Sequence, residues 1–228
     1  MTVLTFALKR SFRNPFNILL LTVLPVGLAF VPVVPGSVLP LGFHLYGQVI
    51  MYAAFLMVRT TMEDRVSGVL TRIGVAPVSH FRYLWETLLA YGLLLVVQNA
   101  VFAGLAVIVL GGILKTPLRQ FAAFACFSLT SIAFSLAGCS LFGRREIAYA
   151  SIPTAITLLS LLGGFYAPVE IMPAALRRAA MVTPPYWLIN ALGVLRGGEP
   201  PARFVLSVAI MLLFAMAFLV LGSRRRMV

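Results

Sequence analysis

The chain has 228 residues, of which 61% are hydrophobic and 11% charged, with a mean hydropathy of +1.02 and a net charge of +12. Those values lie far outside the balance of a water-soluble domain, and they exclude a soluble enzyme or a soluble basic domain that could carry nucleic acid. A hydrocarbon core about 30 Å thick takes roughly 20 apolar residues per helix, so the length and composition describe an all-α integral membrane protein of about six spans.

The chain opens with a patterned flank. Within residues 1–14, Leu4, Leu8 and Phe12 share one helical face while Thr5, Lys9 and Arg13 share another. This is the pattern of a short interfacial helix in the headgroup layer, ended by Pro15. The apolar run 16–34 follows; it contains Pro25 and Pro32, has no small-x-small cleavage site, and reads as a retained span rather than a signal peptide. Further runs at 41–58, 83–113, 121–142, 147–165 and 204–222 complete six predicted transmembrane helices.

An even number of spans places both termini on one side. The 18 Lys and Arg residues divide twelve to six in favour of that side, so the positive-inside rule predicts cytoplasmic N- and C-termini in the cytoplasmic membrane. Contact with anionic lipid headgroups then accounts for the excess positive charge, and no nucleic-acid partner is expected.

In the second predicted span, His44, Gln48 and Tyr52 recur every four residues as one polar stripe. Facing a central axis, the stripe would line a substrate route; facing neighbouring helices, it would hold the bundle together. Gln98, Asn99, Ser128, Ser131 and Ser135 can serve either role, and hydroxyls in such helices commonly bond back to their own backbone. Cys126 and Cys139 are 13 residues apart on one predicted helix, roughly 20 Å, too far to pair. No Cys/His cluster has metal-ligand spacing, and no metal or cofactor is expected in this chain. All six acidic residues lie in loops or at span ends, which argues against an ion-coupled secondary transporter, and no catalytic constellation points to a membrane enzyme.

Half of those acidic residues fall between Arg59 and Glu86. In the predicted loop 59–82, Val66, Leu70 and Ile73 fall on one helical face and Arg65 and Arg72 on another, giving about two turns of amphipathic helix from Glu63 to Gly74. Glu63 and Asp64 suit its start, and Gly74 with Pro77 its end. Such a helix can seat in a groove of a soluble partner, or simply lie solvated. The segment 166–203, on the opposite side, is expected to form a short helix, a break at Thr183 to Pro185, and a second helix carrying Tyr186, Trp187 and Asn190 in the outer headgroup layer, either re-entrant or interfacial.

These residues resemble the type 2 ATP-binding cassette (ABC) exporter permeases. The loop is similar to that family's acidic-basic cluster, Gly-x-Leu and Pro-Val-Ser, here Glu63, Asp64 and Arg65, then Gly68, Val69 and Leu70, then Pro77, Val78 and Ser79. Gly164, Pro168, Pro173, Thr183, Pro184 and Ala191 fall where the family places a glycine, a proline pair, a Thr-Pro step and a short helix. Glu86 stands where the family commonly has Lys, and Thr71 where an acidic residue often follows the Leu.

The resemblance implies a single permease domain, 1–228, that pairs with a second copy or a paralogue and with two ATPase subunits. ATP and magnesium are expected on those subunits, since this sequence holds no phosphate-binding loop. Glu63, Asp64, Arg65, Gly68, Val69, Leu70, Ile73 and Pro77 would couple to the motor. His44, Gln48, Tyr52, Gln98 and Asn99 would border the substrate path, and Gly164, Pro168, Pro173, Pro184 and Trp187 would form an external gate. The implied activity is export by alternating access of an amphipathic drug, lipid or peptide-like molecule, with multidrug resistance as one role; polysaccharide export is the alternative within the family.

Overall fold

The computed structural model describes residues 23–31, 41–66, 80–110, 116–142, 144–194 and 201–224. Residues 23–29 are helical. The elements that follow are α1 (Leu41–Val66), α2 (His80–Leu110), α3 (Pro117–Leu141), α4 (Arg145–Leu162), a 3-10 turn (Val169–Ile171), α5 (Ala174–Ala180), α6 (Pro184–Val194) and α7 (Pro201–Arg224). Among the described residues the secondary structure is entirely helical.

The arrangement is organised around α3, which packs against α1, α2, α4, α6 and α7. Its sequence explains that position. Ala123, Ser128, Ser131, Ala133, Ser135, Ala137 and Ser140 are all buried, and side chains this small let neighbouring backbones approach closely where no hydrophobic effect drives helices together. Backbones come close at α7, where a methyl group added at Gly222 would lie 3.3 Å from Cα of Ala137 and 3.4 Å from Oγ of Ser140. Ser128, Ser131 and Ser140 satisfy their hydroxyls on the carbonyls of Phe124, Phe127 and Leu136 one turn back. Thr130 shares its hydroxyl between the Cys126 carbonyl one turn back at 3.1 Å and, reaching across, the Met211 carbonyl of α7 at 2.8 Å.

Four of the described helices, α1, α2, α3 and α7, are long and apolar enough to cross a membrane. On α2 and α7 the exposed positions beyond Arg203 in the first turn of α7 are apolar, including Leu93, Val97 and Ile108 on α2 and Val205, Leu213 and Met216 on α7, as lipid contact requires. The fifth predicted span corresponds to α4, 18 residues that begin with Arg145 and Glu146 and contain Pro153.

Two differences from expectation stand out. The second span does not stop at 58: α1 continues without interruption through Val66, so Glu63 and Asp64 lie near the end of a long helix rather than at the start of a separate one. The third span likewise begins at His80, which narrows the connection to residues 67–79. Arg59 and Glu63 form an i,i+4 ion pair at 3.1 Å, which supports the extra turns beyond the apolar stretch. The predicted helix at 1–14, most of the span at 16–34 and the remainder of the loop lie outside the described residues.

Candidate functional site

Helix α1 carries three sets of contacts along its length. Near its start, Phe43, Tyr46, Phe102 and Phe124 form a fully buried aromatic cluster between α1, α2 and α3, with the Tyr46 and Phe102 rings stacked at 3.8 Å and Phe124 edge-on to both. The Tyr46 hydroxyl donates to Oδ1 of Asn99 at 2.8 Å, and Asn99 Nδ2 donates to Oγ of Ser128 at 2.9 Å. Three helices are thus joined by one chain of hydrogen bonds that has no access to water. Beside it, Gln98 is buried, and neither amide atom makes a hydrogen bond of good geometry among the described residues.

One residue past Tyr46, Gly47 makes room for the segment that follows α4. Gly164 has φ +93°, and the Phe165 N–H closes on the Ser160 carbonyl at 3.1 Å, a left-handed cap that only glycine adopts without strain. This turn sends the Phe165 ring into the bundle, where it is buried, meets Phe127 edge-on, and sits 2.5 Å from where a Gly47 side chain would begin. Leu188 of α6 occupies the other side of the same notch at 2.8 Å. Pro168 and Pro173 precede the 3-10 turn and α5, fixing φ near the value each start needs. Buried Pro184 begins α6 after the Thr183 hydroxyl has bonded back to the Ala180 carbonyl. The Trp187 indole N–H donates to the Met181 carbonyl at 2.8 Å, tying α6 to the end of α5.

Midway along α1, the Tyr52 hydroxyl lies 2.7 Å from Oγ1 of Thr157 and 3.4 Å from the Pro153 carbonyl, so this tyrosine grips α4 beside its internal proline. At the far end, the Arg59 guanidinium stands 4.8 Å above the Tyr149 ring of α4 while its Nε bonds Glu63. Phe55 meets the same ring edge-on, and Thr60 and Tyr91 link hydroxyls at 2.9 Å to join α2. At the start of α4, the backbone N–H of Glu146 and the Arg145 guanidinium hold the exposed Glu146 carboxyl below the usual carboxylate range.

The expected site residues therefore separate into groups. His44, Gln48 and Tyr52 share one half-buried face of α1, and Tyr52 uses that face to hold α4. Gln98 and Asn99 are buried within the bundle on α2. Gly164, Pro168, Pro173, Pro184 and Trp187 belong to one segment wedged against α1. Glu63 lies exposed near the end of α1, Asp64 and Arg65 follow in the same helix, and Gly68, Val69, Leu70, Ile73 and Pro77 lie outside the described residues. Sequence reasoning missed Tyr46, Gly47, Phe165, Tyr149 and Arg59 as connecting residues. One signal pointed to the first of them: an Asn deep in an apolar helix needs a partner, and Tyr46 is the hydroxyl that reaches it.

A comparison with curated proteins found no match. The ABC-2 family transporter protein model matches residues 38–224, which takes in every labelled helix from α1 to α7. With membrane-length apolar helices on a small-residue hub and a family match over most of its length, the chain belongs to the ABC-2 family of transporter proteins.

Proposed function

We propose, from its membership of the ABC-2 family, that the chain is a multi-pass membrane permease subunit driven by an ATP-hydrolysing partner. We propose that it is the permease of an exporter in the cytoplasmic membrane, paired with a second permease and two ATPase subunits carrying ATP and magnesium, with both termini cytoplasmic. The observation that carries the mechanism is the span of α1. At 1.5 Å per residue its 26 residues extend about 39 Å, of which about 29 Å separate the notch at Gly47 from the end at Val66.

A motor docked under residues 63–79 acts on the end of this rod. Because Arg59 and Phe55 hold Tyr149, and Tyr52 holds Thr157, a tilt of α1 takes α4 with it. Because Phe165 and Leu188 fill the Gly47 notch, the same tilt displaces the segment 164–194 at the opposite end. One rigid helix then links nucleotide-driven closure on one side to opening on the other, as alternating access requires. The half-buried face bearing His44 and Gln48 borders the route between the two permeases.

The rings of Phe43, Tyr46, Phe102 and Phe124 beside that face are sealed inside the bundle and offer no stacking row for a sugar chain. This favours an amphipathic drug, lipid or peptide-like substrate over a polysaccharide. The test is mild-detergent purification of the tagged chain from its native membrane. Recovery of an ATPase bearing a phosphate loop, lost in Leu70→Asp because a charge enters an apolar socket, is the expected result. Recovery of the chain alone under several gentle conditions would overturn the reading.

A further inference from the structure

Helix α4 is weakened at the turn that α1 grips. Pro153 has no N–H to give the Tyr149 carbonyl one turn back, so the helix crosses this point with one rung of its ladder missing. Two hydroxyls beside the gap bond back along the helix, Thr154 to the Ala150 carbonyl at 2.7 Å and Thr157 to the Pro153 carbonyl at 3.0 Å. A proline and back-bonded threonines within about one turn favour a bend, yet α4 runs unbroken from Arg145 to Leu162. Tyr52 spans the weak turn from outside. With the Thr157 hydrogen on the Pro153 carbonyl, the Tyr52 hydroxyl donates to Oγ1 of Thr157 at 2.7 Å and approaches the same carbonyl at 3.4 Å.

The two halves of α4 are held differently. Beyond Leu162, no side chain fits at Gly163 beside Pro185, and Phe165 fills the Gly47 notch, so this end is wedged by close packing. At the Arg145 end, the hold on α1 is the Tyr149 ring against Phe55 and under the Arg59 guanidinium, which is half-exposed and shared with Glu63. Ile152, buried against Gly138 of α3, stands at the boundary between the halves. We propose that Pro153 is a hinge in α4 and that the Tyr52 hydroxyl is its brace. With the brace made, α4 follows α1 as one piece; with it broken, the Arg145 half swings about Pro153 while the Leu162 half stays wedged. The use of such a hinge, which lets one end of the bundle move before the other, rests on the transport reading above. The hinge itself needs neither motor nor substrate.

The test is double electron-electron resonance on the full chain in lipid nanodiscs, in a Cys126→Ala, Cys139→Ala background diluted with unlabelled chain so that distances within one copy are read. Spin labels at two exposed positions, Ile147→Cys and Val220→Cys, report the Arg145 half of α4 against α7. Labels at Leu161→Cys and Val205→Cys, also exposed, report the Leu162 half. Tyr52→Phe keeps the ring and removes the brace. It should raise the ratio of bent to straight forms in the first pair about threefold, the effect of one interhelical hydrogen bond inside a membrane, and leave the second pair unchanged. Thr157→Val removes the same bond from the α4 side and should reproduce that shift. Adding Pro153→Ala to either variant should restore the wild-type distribution. A first pair unchanged in both variants, an equal shift in both pairs, or a shift that survives Pro153→Ala would overturn the proposal. All of this is read without an ATPase, so failure here is distinct from failure of the transport assignment.

Discussion

Gln98 and Asn99 are adjacent, both buried, and predicted to respond to mutation with opposite signs. Asn99 bonds Tyr46 and Ser128, whereas both amide atoms of Gln98 lack a hydrogen bond of good geometry among the described residues. A buried, unsatisfied polar group costs about 1–3 kcal/mol, so Gln98→Leu removes that cost. Leucine has one heavy atom fewer, which leaves a small void worth roughly 1 kcal/mol in the other direction. The expected net is stabilisation by about 1 kcal/mol, or a rise of about 2–4 °C in Tm for a chain of this size. Asn99→Leu forfeits two interhelical bonds, each about 0.6–1.7 kcal/mol in membrane proteins, and leaves the Tyr46 hydroxyl stranded among aromatic rings. Its Tm should fall by several degrees. The assay is thermal unfolding of the purified chain in one detergent, read by circular dichroism. A Gln98→Leu variant as destabilised as Asn99→Leu would refute the reasoning, because it would mean that Gln98 is engaged.

Gly164→Ala forces a side chain into φ +93° and sets a methyl 2.7 Å from Cγ2 of Val169; a loss of about 1–3 kcal/mol is expected, visible as a lowered Tm and looser protease resistance near Phe165. Gly222→Ala should be tolerated with a shift of a few tenths of an ångström, whereas Gly222→Val pushes α7 from α3 and should cost about 1–3 kcal/mol in the same melt. The Glu146 carboxyl should titrate below an ordinary glutamate in a carbon-detected NMR experiment. Because its folded pKa is depressed, its small contribution to stability is present above the unfolded value and disappears as pH falls through the folded one. Arg145→Gln should move that titration back upward.

Composition and run length sufficed to place α1, α2, α3 and α7, because a bilayer imposes their dimensions. The turn at Thr183 was also legible, since Thr-Pro-Pro can open a helix but cannot continue one. The far end of α1 was not. Arg59, Glu63 and Asp64 read as the start of a loop by polarity, yet their i,i+4 spacing let the helix run on past the apolar stretch. The connecting residues were illegible for a different reason. Tyr46 and Asn99 are 53 positions apart, and Tyr52 and Thr157 are 105 apart, so nothing local marks them as neighbours. Gly47 looked like one small residue among many until Phe165, far along the chain, supplied the bulk that required it.

The make-up of α4 has a consequence for how the protein is built. It begins with two charged residues, holds Pro153 in its middle, and is not among the described helices apolar enough to cross on composition. During synthesis such a segment is expected to partition into lipid less readily than the more apolar α7. Its hydroxyls and its proline-weakened turn are accommodated once Tyr52, Phe55 and Arg59 of α1 offer partners. Helix α7 needs no such help, being strongly apolar and mostly lipid-exposed. Biogenesis is therefore expected to be out of register with sequence order at this point: α4 settles late, against helices already inserted, and variants that weaken its grip on α1 should be caught by membrane quality control before they are ever tested as transporters.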